Sequence, residues 1–307
     1  MSRHKLLILL SIVLCVCCFL LPAQARNDVV LVIGQDNQSI VDYVEATHGR
    51  TSPDGIMAYT AINDLSGLSE AADHGAGVNH VDDLLGKYPD LRVVQLGLYM
   101  RYMLEAVVQG HLDDNIDRLG EWIRHSGRQV YLRIGYEFDN PENEYVPEQY
   151  IPAYRYIVAR LRKNGVRNVC FVWHTIAWQD KAWPAYDPLR WYPGSQYVDW
   201  VGISFFDSKQ DAERNKAARL ARQFGKPLMI AESSPFFQHT DEEKLKWLAS
   251  LFGYIDKNHV RYLSYINVDW DALEMFQSRA WGDARLENSP VVMQEWLNNL
   301  ERFRQGI

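Results

Sequence analysis

Cysteine is nearly missing from this chain. Of its four cysteines, Cys15, Cys17 and Cys18 lie within the first 25 residues, which leaves Cys170 alone in the remainder. One thiol closes no internal disulfide, so stability has to come from a buried core. No Cys/His cluster has the spacing of a zinc site, and no metal is expected. No Gly-rich phosphate loop of the dinucleotide or nucleotide type is present, and no cofactor is expected. Basic clusters are also missing. Lys and Arg number 32 against 39 Asp and Glu, for a net charge of −7. An acidic chain without a basic patch is a poor match for nucleic acid, whereas neutral sugars suit it.

The start of the chain has the pattern of a secretory signal. Arg3, His4 and Lys5 precede an apolar run from Leu6 to Leu21, and Ala23-Gln24-Ala25 supplies a small-x-small cleavage pattern. The run is short for a bilayer span of about 20 residues. Residues 1–25 are therefore expected to be a signal peptide, with residues 26–307 forming one catalytic domain. Secretion or export to a periplasm follows, with no membrane association after cleavage. A lipid-anchored variant through Cys15, Cys17 or Cys18 is an alternative. Without Arg3 and Lys5 the net charge becomes −9. A chain of this length can bury one large core. The chain is expected to act as a monomer.

Eight short runs rich in β-branched and aromatic residues follow. They are Val29–Asp36, Gly55–Ile62, Leu91–Tyr99, Gln129–Glu137, Asn168–Thr175, Val198–Asp207, Pro227–Ser233 and Val260–Trp270. Between or after them, Ser39–Thr47, Val81–Tyr88, Leu112–His125, Pro147–Asn164, Gln210–Phe224, Asp241–Asn258 and Pro290–Phe303 show apolar spacing of three to four residues. Strand and helix alternating to a count of eight predict an α/β fold, a (β/α)₈ TIM barrel. A doubly wound open sheet is the alternative. Two connections, Leu65–His80 and Ile176–Tyr197, are irregular and follow strands, so they fall on the face where barrels build their sites.

The chemistry lies at strand ends. In the fourth run, strand alternation puts Arg133, Gly135 and Glu137 on one face, with Leu132, Ile134 and Tyr136 on the other, suited to helix packing. Tyr136, at the end, could turn into the pocket. Arg133 and Glu137 are costly to bury without a purpose. A plain Arg133–Glu137 ion pair closing the barrel is the structural alternative. In the seventh run Glu232 ends an otherwise apolar segment, where capping a following helix is the structural alternative. Strands four and seven lie across a barrel mouth from each other. Two carboxylates facing one cleft are what glycoside hydrolysis needs: one protonated to assist the leaving oxygen, one ionised to attack the anomeric carbon. Arg133 is expected near one carboxylate, favouring its ionised form, and Glu137 is expected to be the member kept protonated.

Aromatics supply the rest. Trp173, Trp178, Trp183, Trp191, Trp270 and Trp281 fall at or after strand ends, where indoles could stack on sugar rings. Gln35, Asp36, His174, Asp207, Asn267 and Asp269 fall near the same rim. Trp173, Trp178, Trp270, Gln35, His174, Asp207, Arg133 and Tyr136 are the expected substrate contacts. Trp122, Trp247 and Trp296 sit in helical patterns and are expected to pack.

Three segments carry a family resemblance. Arg133–Phe138 (RIGYEF) resembles the acid/base motif of glycoside hydrolase family 26, Trp191–Ile203 (WYPGSQYVDWVGI) its approach to strand six, and Pro227–Ser234 (PLMIAESS) its nucleophile strand. The resemblance implies a (β/α)₈ barrel, retention of configuration, Glu137 as acid/base and Glu232 as nucleophile. It also shows departures. Mannan-cleaving members usually place a His before the acid/base, where this chain has Tyr136. They often have a Tyr near the end of strand six that can orient the nucleophile, where this chain has Phe205 and Phe206. The Gly34-Gln35-Asp36 start, a following Ser39-Ile40 and Tyr43, and RIGYEF are more similar to the family's β-1,3-xylanases. The implied activity is a retaining endo-β-glycanase acting on a polysaccharide, with β-1,3-xylan the first substrate to consider. A β-1,4-mannanase or other β-glucanase, and an inactive sugar-binding barrel, are the alternatives.

Overall fold

A computed structural model describes residues 29–180, 184–207 and 210–305 of the chain. The expected signal segment, and Trp183, lie outside the described residues. Eight parallel strands close into a barrel: β1 (Val30–Gly34), β2 (Gly55–Ala61), β3 (Val93–Tyr99), β4 (Gln129–Ile134), β5 (Val169–Thr175), β6 (Trp200–Phe205), β7 (Leu228–Ser233) and β8 (Tyr262–Ile266). Each strand pairs with its sequence neighbours, and β8 closes onto β1 from Val30↔Tyr262 to Gly34↔Ile266. An open doubly wound sheet is thereby excluded.

The helices are α1 (Asn37–Thr47), α2 (Val81–Lys87), α3 (Leu104–Val108), α4 (Asp113–Ser126), α5 (Pro147–Lys163), α6 (Asp211–Gln223), α7 (Asp241–Asn258) and α8 (Pro290–Gln305). All but the single-turn α3 correspond to the periodic segments of the sequence; five residues are too few to show a period. Local chemistry sets several ends. Asp36 caps α1, its carboxylate accepting from the backbone N–H of Gln38 and Ser39. Thr240 and Glu243 form a reciprocal capping box on α7. Pro147 occupies the first turn of α5, where a missing N–H costs nothing.

Strand alternation divides the core into two layers. Residues such as Ile56, Ala58, Leu132, Ile134, Val201, Ile203 and Ile230 face outward and pack under the helices. Val32, Met57, Val93, Val172, Met229, Ala231 and Tyr262 face inward and fill the barrel. Large apolar side chains buried on both sides of the sheet each contribute about 1.5–3 kcal/mol relative to exposure, which accounts for a stable fold without cross-links. Of the two irregular connections, the one after β2 carries a small antiparallel hairpin, Ala72–Asp73 with Val78–Asn79. The one after β5 carries a short 3₁₀ turn, Pro188–Trp191.

Candidate active site

Glu232 reaches the mouth of the barrel through a β-bulge. Along β6 and β7 the register runs Ile203↔Ile230 and then Ser204↔Glu232, so β7 holds one extra residue, Ala231. A bulge bends a strand and re-aims the next side chain. Here it sets Glu232 level with Ser204 at the top of the barrel. The buried amide of Gln95, on β3 across the interior, donates to the carbonyl of Ala231 at 2.7 Å, and Ser264 on β8 donates to the other end of that amide at 2.7 Å. The bulge is thus braced from inside.

Glu137 arrives differently from the alternation expected. β4 ends at Ile134, and Gly135 and Glu137 both have positive φ, +55° and +47°. Glu137 is carried into the mouth by a turn rather than by strand alternation. A positive φ at a non-glycine residue stores strain and is found where a site over-determines it. Gly135 has no alternative: a Cβ there would lie 2.8 Å from both Met100 Cε and Tyr150 Cε2. Asn143 holds the turn, its amide donating to the carbonyls of Tyr136 and Glu137 at 3.1 and 3.0 Å. The same turn swings Tyr136 into the pocket, with its ring 5.1 Å from that of Tyr59.

Arg133 pairs with Glu232, not with Glu137, so the simple Arg133–Glu137 closure does not occur. Its guanidinium is fully buried and sits over the rings of Tyr59 and Tyr136, 5.0 and 5.2 Å from their centres. Tyr59 Oη donates to the same carboxylate oxygen, Glu232 Oε1, at 2.9 Å. These side chains fit because Gly97 on β3 lies between Tyr59 and Arg133 in the ladder. A Cβ at Gly97 would come within 2.6 Å of the Tyr59 ring and 3.0 Å of Arg133 Nη2.

The second carboxylate has neutral donors. Ser204 Oγ donates to Glu137 Oε1 at 2.6 Å and Asn140 Nδ2 to Oε2 at 3.0 Å. Burial, then the charge of Glu232, push the Glu137 carboxyl up to about 8, against the smaller opposing effect of those donors. His174 stands between the two acids. Its Nδ1 is 3.4 Å from Arg133 Nη1 and its Nε2 is 3.0 Å from Ser204 Oγ. Burial, and then the adjacent Arg133 charge, hold its imidazole well below the usual range, so it is neutral. The arrangement therefore has one carboxyl kept protonated near neutrality and a second held by an arginine and a tyrosine, the division of labour that acid-assisted nucleophilic displacement requires.

The other expected contacts separate into groups. Trp178 is half-buried and packs on the inner core at the mouth. Trp270 also belongs to that layer, but it is only 3% exposed, donates to Ser234 Oγ at 2.8 Å and meets Phe236, Phe276 and Trp281 edge-on. Trp173 is a correction. It alternates with His174 on β5, so it points outward, where it stacks on Phe138 at 4.8 Å and is fully buried under the helices. Trp191 joins that outer cluster. Gln35 is buried and donates to the carbonyl of Ala76 at 3.1 Å, fastening the hairpin loop after β2. Asp207 lines a separate cavity of about 500 Å³ with Phe236, Gln238, Lys246 and Trp247, beside α7. Asp36, Asn267 and Asp269 serve the scaffold. Asp36 caps α1; Asn267 accepts from the N–H of Leu286 at 2.9 Å; Asp269 pairs with Arg285 at 3.3 Å.

Tyr59, Ser204, Asn140, Gly97 and Gln95 were not singled out from the sequence. Tyr59 and Ser204 had a usable signal, since alternation in GIMAYTA and WVGISF places them on the inner face. Asn140 and Asn143 had only the turn composition of their segment.

Residues 128–235 match the family model described as glycosyl hydrolase family 26. A β-1,3-xylanase from Alcaligenes sp is 34% identical over 306 residues, spanning 90% of this chain and 64% of the relative. A second β-1,3-xylanase, from Vibrio sp, is 32% identical over 302 residues, spanning 89% and 64%. The chain thus covers slightly less than two thirds of the length of these relatives. Among solved structures, a GH26 β-mannanase from Bacteroides ovatus superposes with a TM-score of 0.66 at 16% identity, covering 92% of this chain and 90% of that one, a likeness of fold.

Proposed function

The chain belongs to glycoside hydrolase family 26, and from that premise we propose that it is a retaining endo-β-glycanase whose substrate is a β-1,3-linked xylan. The observation that carries the mechanism is the unequal treatment of the two acids. Glu137 is pushed up to about 8 and accepts from the neutral donors Ser204 and Asn140, whereas Glu232 is gripped by Arg133 and Tyr59. Glu232 attacks the anomeric carbon; the glycosidic C–O bond breaks, and its oxygen takes the proton of Glu137. A covalent glycosyl-enzyme results. Glu137, now a carboxylate, removes a proton from water, which attacks the same carbon and releases Glu232. Two displacements at one carbon retain its configuration.

Two observations support xylan over mannan. The curated relatives quoted above are β-1,3-xylanases. The chain also has Tyr136 before the acid/base and replaces a strand-six tyrosine with Phe206, which stacks on Phe236 at 4.2 Å instead of reaching Glu232. Tyr59 on β2 makes the contact to Glu232 in its place. The proposed location is outside the cytoplasm, in keeping with the N-terminal segment.

The test is hydrolysis of β-1,3-xylan, β-1,4-mannan, β-1,4-xylan and mixed-linkage glucan, with sizing of products and proton NMR of the newly formed reducing end. Oligosaccharides of several lengths from β-1,3-xylan, initially in the β configuration, are expected. Mannan as the preferred substrate would overturn the substrate assignment, an initial α-anomer would overturn retention, and no hydrolysis of any glycan would leave a binding protein.

A further inference from the structure

Between the two acids runs a continuous hydrogen-bonded chain: Glu232, Arg133, His174, Ser204, Glu137. Its direction is fixed by chemistry. A guanidinium only donates. One hydrogen on Arg133 Nη1 is directed to Glu232 Oε1, and the second meets His174 Nδ1 at 3.4 Å. Nδ1 must therefore accept, and the single proton of the neutral ring sits on Nε2. That N–H donates to Ser204 Oγ at 3.0 Å. Ser204 then directs its own hydrogen to Glu137 Oε1 at 2.6 Å. On the far side Asn140 is also fixed. Its Oδ1 accepts from the N–H of Glu142 at 3.0 Å, so its amide nitrogen faces Glu137 Oε2 at 3.0 Å.

We propose that His174 and Ser204 are positioning residues forming a one-way relay that, together with Asn140, keeps the proton of Glu137 pointing into the cleft. Both inward directions of the carboxyl group face donors, so a protonated Glu137 cannot hand its hydrogen to the protein. The proton occupies an outward lone pair, on the side where a leaving oxygen arrives. A serine without His174 above it could rotate and accept that hydrogen, drawing it away from substrate. The relay also supports the second step, because Ser204 remains a donor to the carboxylate that must act as base. His174 and Ser204 are both fully or almost fully buried, at 0% and 1% exposure, so water does not replace either partner easily.

This inference rests on the acid/base role proposed for Glu137, and the experiment separates the two. Around Glu137 stand Glu232 on β7, Arg133 on β4, His174 on β5, and Asp139 on its own turn; Glu232 and Asp139 raise its carboxyl. In protein labelled with ¹³C at the glutamate carboxyl, the Glu137 resonance is assigned by its loss in Glu137→Gln and followed against pH. Ser204→Ala removes a donor to the anion, and His174→Phe frees Ser204 to stabilise the acid. Each is expected to move the Glu137 midpoint upward by about one unit, the effect of one hydrogen bond to a charged group. Ser204→Thr, which keeps the hydroxyl, should return it towards the native value. Titration unchanged in both Ser204→Ala and His174→Phe would overturn the relay whether or not any glycan is cleaved.

The kinetic arm compares kcat/KM for polysaccharide and for an aryl glycoside with an activated leaving group. In both variants the polysaccharide value is expected to fall by about 10–100-fold, less than the roughly 10²–10⁴-fold that general acid catalysis contributes, because Glu137 itself remains. The aryl value should fall by less than about 3-fold, because that leaving group needs no proton. Equal falls for the two substrates would mean a merely structural role and would overturn the proposal. Thermal unfolding of each variant identifies loss caused by misfolding, and Ser204→Ala set against Ser204→Thr carries the comparison if His174→Phe does not fold.

Discussion

Tyr59 on β2 donates to Glu232 Oε1 at 2.9 Å, the same oxygen that receives Arg133. Tyr59→Phe keeps the ring that faces Arg133 and Tyr136 and removes the hydroxyl, with its bond to Glu232 and its weaker contacts to Met57 Sδ and Arg133. Steady-state kinetics on the polysaccharide should show kcat/KM lowered by about 10–100-fold, the range for a donor to a charged group. The unfolding midpoint should change little. Unchanged kinetics would leave Arg133 as the sole anchor of Glu232.

Glu137 predicts two pH effects of the same origin. Its carboxyl, pushed up to about 8 by burial and by Glu232, should set the basic limb of the pH–rate profile near that value. Glu137→Gln should abolish that limb along with most of the activity. Stability should respond as well. Between about 4.5 and about 8 the folded protein holds a proton that the unfolded chain has lost, so stability falls as pH rises through this interval. Glu137→Gln has no such proton to lose. Its melting temperature at pH 8 should exceed the parent's by at least about 2 °C, with the difference shrinking towards pH 4. A constant difference across that range would show that the gain arises elsewhere.

Gly97 should tolerate no side chain. Gly97→Ala places a methyl group against the Tyr59 ring and Arg133 Nη2, the two supports of Glu232. Overpacking of this kind costs about 1–3 kcal/mol. Activity should fall together with denaturant stability, and more steeply, since the displaced groups hold Glu232. Wild-type behaviour in both measurements would show that Tyr59 and Arg133 can yield without consequence.

The tryptophans should divide by layer. Trp173→Ala opens the outer core beneath α5 and should destabilise the protein by about 3–5 kcal/mol in urea unfolding. Trp178→Ala, at the half-buried mouth, should leave unfolding within about 1 kcal/mol of the parent while raising KM. An unaltered KM would return Trp178 to packing alone.

Roles exchanged between the acids would show in rescue experiments. Glu232→Ala should fail to form the covalent intermediate with every substrate. Glu137→Ala should still react with an activated aryl glycoside, accumulate the intermediate, and release a β-linked product when azide is added. Reversal of the two phenotypes would exchange the assignments.

Strand periodicity, helix periodicity and the position of each glutamate at the end of an apolar run are local properties. They made the barrel, its eight strands and the Glu137–Glu232 pair legible in the amino-acid sequence. Trp173 was misplaced because its strand-end position indicates nearness to the mouth, whereas alternation with His174 turns it outward. Gln35 and Asp207 lay near the expected rim, but their partners, Ala76 and the cavity beside α7, come from other segments.

What the chain determined by itself was therefore the repeating frame and the two acids, because both follow from side-chain period and burial cost along a single segment. What the tertiary structure decided was how those acids differ. The bulge at Ala231 and the positive-φ turn at Gly135–Glu137 re-aim side chains that simple alternation would have directed elsewhere. Arg133 meets Glu232 across 99 residues, Tyr59 reaches it across 173, and Ser204 meets Glu137 across 67. Closing the barrel brings these groups into one desolvated space, where each charge and each hydrogen-bond direction depends on neighbours that the linear sequence keeps far apart.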